Sequence, residues 1–402
     1  MHALLPPGTD PSITPVFAAR ALRGFADGFV AVLLPVYLLA LGLGGVAVGA
    51  IATATLLGSA LATLAVGAWG HRHTGKALLL TAAALMAATG LAFSVAATFW
   101  PLLLVAFVGT INPSSGDVSM FLPLEHARLA AASDDTQTRT SLFARYALVG
   151  ALCAALGALA SGAPDRMVAW MGFARLDALR AMFVLYGLIG VAVWVLYRRL
   201  PQQHACDAAK PAPLGPSKAV VVKLAALFSV DSFAGGLVVN SLLALWLFQR
   251  FGLSLAAAGT FFFSSGLLGA ISQLAAPKIA RRIGLVNTMV WTHIPASLCL
   301  IAAAFATDVR LALGLLLARA LVSSMDVPAR SAFVMSVVQP HERAAAASFT
   351  AVPRSLAAAA SPLLAGWLFQ SGWDAAPLVA CGLLKIGYDL ALWRAFRLAD
   401  RL

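Results

Sequence analysis

The chain has 402 residues, of which 61% are hydrophobic and only 11% charged, with a mean hydropathy of +0.88. A water-soluble domain carries about 25% charged and about 45–50% apolar residues, so this composition excludes one and names lipid as the solvent. The 33 Gly and 20 Pro lie within apolar runs and follow no three-residue period, which removes collagen-like, coiled-coil and disordered readings. A net charge of +12 then reads as an excess of Lys and Arg in loops on one side of a bilayer, with no basic domain for nucleic acid. Cys153, Cys206, Cys299 and Cys381 form no C-x-x-C pair, so neither a disulfide framework nor a metal site is indicated.

From the start, Met1 to Pro15 holds four prolines and no basic leader, so the first apolar run reads as a retained span. A spanning helix needs about 20 mostly apolar residues. Twelve stretches qualify: 18–40, 44–68, 77–97, 101–122, 141–162, 180–200, 220–248, 255–276, 285–306, 311–336, 346–369 and 374–396. The runs are continuous and rich in Ala and Leu, which excludes the alternating pattern of a β-barrel. Between the fifth and sixth, Met167, Trp170, Met171, Phe173 and Leu176 alternate with charges, as in a short helix lying in the membrane interface.

Twelve spans put both termini on one side. With the termini in the cytoplasm, 18 of the 28 Lys and Arg lie inside, five lie outside, and five (Arg145, Arg319, Arg330, Arg354 and Lys385) fall within spans. The charge bias therefore places both ends in the cytoplasm of an inner-membrane protein.

A polar, proline-rich linker at 201–218 divides residues 1–200 from 219–402, six spans from six. An offset of 209 residues superposes Tyr37 on Trp246, Arg72 on Arg281, Gly75 on Gly284, Ser114-Ser115-x-Asp117-Val118 on Ser323-Ser324-x-Asp326-Val327, and Arg145 on Arg354. Charges inside spans are rare, so charged pairs sharing one offset indicate a duplicated six-span unit. Two such halves side by side place a site near the midplane between them. The expected fold is all-α: twelve transmembrane helices in two pseudo-symmetric six-helix bundles.

The six-plus-six layout and the basic loop after the second span, Gly67 to Lys76, resemble the major facilitator superfamily, whose loop reads G-x-x-x-D-R-x-G-R. Gly67 and Arg72 match; His71 stands where that family has Asp, and the second glycine is displaced to Gly75, with Lys76 after it. The fourth span lacks the Arg, and the fifth the Gly-Pro pair, of the family's drug/proton antiporters; a Ser361-Pro362-x-x-x-Gly366 pattern does stand in the eleventh. The resemblance implies a secondary transporter working by alternating access.

An ionisable side chain at mid-span costs about 2.5–3.5 kcal/mol on insertion scales, so each needs a partner, a wet cavity or a task. Asp117 with Arg145, and Asp326 with Arg354, are expected to pair at the cytoplasmic helix ends, either as a gate or as static neutralising pairs. Asp27 and Asp231 are candidates for proton coupling, because a carboxylate in a partly dry cavity can exchange a proton near neutral pH. The alternative for Asp27 is a pair with Arg23, one turn away. Arg319 suits an anionic solute, or else pairs with Asp326 or Asp231. Lys385 and Asp389, four apart, are expected to neutralise one another. His293 is assigned no role.

The stretch Asn112 to Ser119, with Pro113 and Gly116, is expected to unwind and face the cavity, and Asn240 and Gln273 are further cavity candidates. No nucleophile elbow, metalloprotease helix, phosphate loop or metal cluster is present in the sequence, so no enzyme, cofactor or metal is expected. The expectation is a monomeric transporter in a lipid bilayer, moving a small molecule, with protons as coupling ion and efflux as direction. Uptake of an anionic metabolite, or a non-transporting sensor of the same fold, is the alternative.

Overall fold

The computed structural model describes residues 9–69, 72–114, 119–133, 135–202, 215–339 and 342–397, and the regular structure among them is helical throughout. An apolar chain in hydrocarbon has no water to satisfy its backbone, so each run closes its own hydrogen bonds as a helix. The first six passages are α1 (Thr14–Ala40), α2 (Gly45–Trp69), α3 (Gly75–Val95), the pair α4 (Phe99–Val108) and α5 (Phe121–Ala131), α6 (Thr136–Ala160) and, after the short α7 (Ala163–Met171), α8 (Arg175–Arg198). The second six are the pair α9 (Lys218–Gly236) and α10 (Asn240–Phe251), α11 (Leu255–Ile283), α12 (Leu285–Phe305), the pair α13 (Val309–Ser323) and α14 (Asp326–Val337), α15 (Arg343–Gln370) and α16 (Ala376–Phe396).

Among the described residues, ten passages are long and apolar enough to cross a membrane, and α4 is a shorter apolar helix. The remaining one, α15, has 28 residues but carries Arg354, Pro353 and Pro362 within it. On α7, Trp170 and Met171 stay exposed, as befits a helix whose apolar side meets lipid.

The fourth passage, an apolar stretch at 101–122 in the sequence, is broken within that stretch and extends beyond it. It stops at Val108 and resumes at Phe121, and Gly109 to Ser114 are non-helical, as the proline and glycine of this stretch suggested. Tyr186 of α8 supports the break by donating to the Thr110 carbonyl at 3.0 Å. Breaks at Leu237–Val239 and Ser324–Met325 interrupt the seventh and tenth passages, which the hydropathy pattern read as continuous.

Helix contacts repeat between the halves. In the first, α1 packs on α6, α3 on α8 and α2 on α4; in the second, α9 packs on α15, α12 on α16 and α11 on α13. Across the middle, α2 packs on α15 and α6 on α11. Without a hydrophobic force between helices in lipid, close approach of small residues carries this packing. A Cβ on Gly28 of α1 would lie 2.0 Å from the Ala154 carbonyl oxygen of α6, and one on Gly49 of α2 would lie 2.4 Å from that of Pro362 on α15.

Among the described residues, the side-chain hydrogen bonds between the halves gather toward one end of the bundle, and a cavity opens between the halves at the other. Away from the termini, at the distal end, Val46 donates to Gln370 Oε1 at 2.9 Å, Leu363 to Thr53 Oγ1 at 3.1 Å, and Ala256 to Asp165 Oδ2 at 3.4 Å. There α10 also packs on α1 and α2. Toward the terminal end, among the described residues, α5 packs on α3 and α6, α14 on α11, α12 and α15, and α9 on α15 and α16, each within its own half. A cavity of about 150 Å³ opens there between α2, α5 and α15, lined by Ala60, Thr63, Leu122, Ala351 and Ser355 among others.

Candidate functional site

Among the described residues, each half buries a cluster of charged side chains. In the first, Glu125 of α5 accepts from the Arg23 guanidinium of α1, from the Tyr146 hydroxyl of α6 and from the Tyr197 hydroxyl of α8, the last at 2.6 Å. Arg23 also lies 4.1 Å from the centre of the Phe121 ring. One carboxylate thus holds four passages together through three donors, and both members of the ion pair are buried. The cost of taking them out of water is offset only because the carboxylate is so fully hydrogen-bonded.

In the second half the polarity is reversed. Asp231 of α9 accepts from Lys385 of α16 at 2.6 Å and from Arg330 of α14 at 3.0 Å. Arg330 also bonds Asp326, one turn earlier on α14. On the offset of 209, Arg23 superposes on Ser232 beside Asp231, and Phe121 on Arg330. The cation therefore stands on the first passage of one half and on the fourth of the other. Beside this cluster, His293 Nδ1 of α12 lies 3.2 Å from Asp389 Oδ1 of α16.

A small cavity of about 160 Å³ lies between the halves near the middle, where Gly28, Val32 and Ala154 face Asn240, Phe262 and Gly266. Two duplicated bundles, closed at one end and holding a cavity between them, have the geometry of a carrier. The model of the Major Facilitator Superfamily matches residues 16–325. The chain belongs to the major facilitator superfamily.

The chain is 25% identical, over 94% of its own length and 92% of the relative's, to the uncharacterized membrane protein YJR124C of Saccharomyces cerevisiae. Among solved structures it is similar in fold to a D-xylose-proton symporter, with a TM-score of 0.73 and 15% identity over 95% of this chain and 97% of the other. It is also similar to the nucleoside transporter NupG, with a TM-score of 0.70 and 14% identity over 97% and 99%. The protein is thus a multi-pass membrane protein with a transporter fold.

Within this major facilitator fold the sequence candidates fall in different places. Asp27 is half-buried on α1, and the Arg23 offered as its alternative partner is bonded to Glu125. Asp231 is the centre of the second cluster. Asn240 reaches the cavity between the halves, whereas Asn112 is buried and accepts from the Ser114 backbone at 3.0 Å and hydroxyl at 2.8 Å, shaping the helix break. Gln273 is exposed on α11.

Arg319 is half-buried on α13 and makes no hydrogen bond or ion pair among the described residues; the carboxylates considered for it are taken by Arg330 and Lys385.

Two expected pairings are corrected. Asp326 pairs with Arg330, because the helix restarts at Asp326 and puts Arg330 one turn on along the same face; Arg354 instead donates to Ser232 Oγ at 3.3 Å. Lys385 turns to Asp231 on α9, leaving Asp389 to His293. Arg145 is half-buried on α6; its expected partner Asp117 lies outside the described residues, as do Gly116 and His71.

In the basic loop, Arg72 is exposed and Gly67 and Gly75 stand near the flanking helix ends. Lys76 Nζ donates to the carbonyls of Arg198 and Leu200 at 2.7 and 2.6 Å, satisfying free acceptors at the end of α8. Glu125 escaped the sequence reading because the apolar run of the fourth passage ends near residue 122. The signal was there: the helical pattern resumes after the break and carries Glu125 back among buried side chains.

Proposed function

We propose that the protein is a secondary active transporter that carries a small organic solute across a membrane by alternating access, outward in exchange for protons. The observation that carries the reading is the asymmetry of closure: among the described residues, side-chain bonds tie the halves toward the distal end, while a polar-tipped cavity opens between them at the terminal end. Residues 1–200 and 219–402 are the two rocking bodies and 201–218 the tether between them. The excess of Lys and Arg at the terminal end supports an inner-membrane protein with that end, and both termini, in the cytoplasm, so the conformation described is inward-open. The protein works as a monomer, since each half finds its partner within the chain.

Asp27, half-buried on α1, and Asp231 are the carboxylates proposed to couple protons to transport; a proton on Asp231 removes its charge and weakens its bonds to Lys385 and Arg330. The test is flux of a solute, identified by its stabilisation of the purified protein, in reconstituted vesicles with an imposed pH gradient. Gradient-driven flux that falls in Asp27→Asn and Asp231→Asn supports the reading. Flux that ignores the gradient and both substitutions contradicts it.

A second reading rests on Arg319. A half-buried cation that has no hydrogen bond or ion pair among the described residues suits an anionic solute, and then uptake fits as well as efflux. Weaker binding of carboxylate-bearing solutes, and unaltered binding of neutral ones, in Arg319→Gln would favour it.

A further inference from the structure

We infer that His293 and Asp389 form a proton-binding pair whose occupancy decides which carboxylate Lys385 serves, and so how tightly α9, α14 and α16 are tied. The inference rests on the proton-coupled reading above and moves its seat from the expected carboxylates to a pair between the ninth and twelfth passages.

Both side chains are buried, His293 at 4% and Asp389 at 0% exposure. Asp389 meets the imidazole through Oδ1, while its Oδ2 is buried without a hydrogen-bond partner among the described residues. A carboxylate left in this state is expensive in a low-dielectric site, and one proton shared with the imidazole removes the net charge. Histidine is the side chain that exchanges such a proton in the physiological range.

The groups facing the pair come from every element packed on α12 and α16. Asp231 of α9, Asp326 of α14, and Lys385 and Tyr388 of α16 act on the pair itself; Arg330 of α14 and Arg354 of α15 act on Asp231 and Asp326, and Arg319 of α13 lies beside Cys381. On α11, Lys278, Arg281 and Arg282 stand only in its last turns. In the inner cluster, Arg330, Lys385 and Arg354 exceed Asp231 and Asp326 by one positive charge. Without the shared proton the pair is an anion and balances this excess; with it, the pair is neutral and the excess stands.

Lys385 connects the two states. It lies one turn from Asp389 on α16, within reach by helical spacing, yet its ammonium is on Asp231 at 2.6 Å. That choice fits a protonated pair, whose Asp389 makes no demand on it. Loss of the proton turns Asp389 into a competitor for Lys385, weakens the tie from α16 to α9, and frees part of the wall that the parted terminal end presents. Proton binding on the pair thus favours the inward-open arrangement, and its release favours closure of that end.

The test uses the full chain, freed of native cysteines and spin-labelled at Gln137→Cys on α6 and Lys278→Cys on α11, both exposed near the terminal end. The label distance is followed from about pH 5 to about pH 8, the range in which a histidine pair titrates. The expected result is a fall in the long-distance population as pH rises, lost in Asp389→Asn and in His293→Gln. Two outcomes overturn the inference: a wild-type distance indifferent to pH, or a pH midpoint unchanged in both variants.

Should either variant fail to fold, as its thermal unfolding would reveal, the histidine NMR signals of the wild type decide. Titration of His293 together with the distance change supports the pair, and a His293 signal that does not titrate overturns it. A distance that still responds to a stabilising solute when the pH response is absent overturns the pair alone and leaves the transport reading standing.

Discussion

Val46, at the start of α2, donates its backbone N–H to Gln370 Oε1, near the end of α15, across 324 positions of sequence and at 2.9 Å. It is one of the polar ties between the halves among the described residues, and it stands at the distal end. Losing one such bond costs about 0.5–1.5 kcal/mol net. In Gln370→Ala the ratio of distally open to distally closed molecules should rise several-fold. Spin labels at Ala40→Cys and Ser371→Cys, both exposed at this end, would read it; an unchanged distance distribution would show that the bond does not hold the closure.

Glu125 should prove the keystone of the first half. Glu125→Leu leaves Arg23 charged and buried, and strands the Tyr146 and Tyr197 hydroxyls, a loss of about 3–5 kcal/mol. The double variant Arg23→Met/Glu125→Leu should recover much of it, because an apolar pair replaces the buried ions. Thermal unfolding in detergent measures both, and additive losses would contradict the direct pairing.

In the second half Arg330 is shared by Asp231 and Asp326, while Arg354 bonds a serine hydroxyl. Arg330→Met should therefore cost about 3–5 kcal/mol, leaving two carboxylates short of a partner. Arg354→Met should cost about 1 kcal/mol. The swap Asp326→Arg/Arg354→Asp should not restore stability. Equal losses in the two single variants would return Arg354 to the role of an ion-pair partner.

Close packing of α1 on α6 makes a further prediction. Gly28→Ala puts a Cβ against the Ala154 carbonyl and should destabilise by about 1–3 kcal/mol or more. Gly314→Ala, where a Cβ meets no atom within 4 Å, should be neutral or gain up to about 1 kcal/mol of helix propensity. The comparison of unfolding midpoints fails the packing account if the two variants behave alike.

What was legible in the sequence follows the range of the forces involved. The passages were visible because hydropathy is a sum over about 20 residues, and the duplication because charges in apolar runs are few enough to align. The break after Val108 announced itself through Pro113 and Gly116. The break at Ser324 has its signal four residues on, in Pro328, which has no N–H for the Ser324 carbonyl; the one after Gly236 has only a glycine pair, and its placement depends on packing against other helices. Partner choice was the least legible. Lys385 and Asp389 satisfy the one-turn rule along α16, but Asp231 on α9 comes closer, and only the crossing of the two helices decides between them.

The central claim is that the two halves rock about the cavity between them. It is tested most directly by following two distances in one preparation: Gln137 to Lys278 at the terminal end, and Ala40 to Ser371 at the distal end, without and with a solute that stabilises the protein. The account predicts opposite changes, the terminal distance shortening as the distal one lengthens, from a starting state with the terminal end open. Distances that stay fixed, or that change in the same direction, would contradict it.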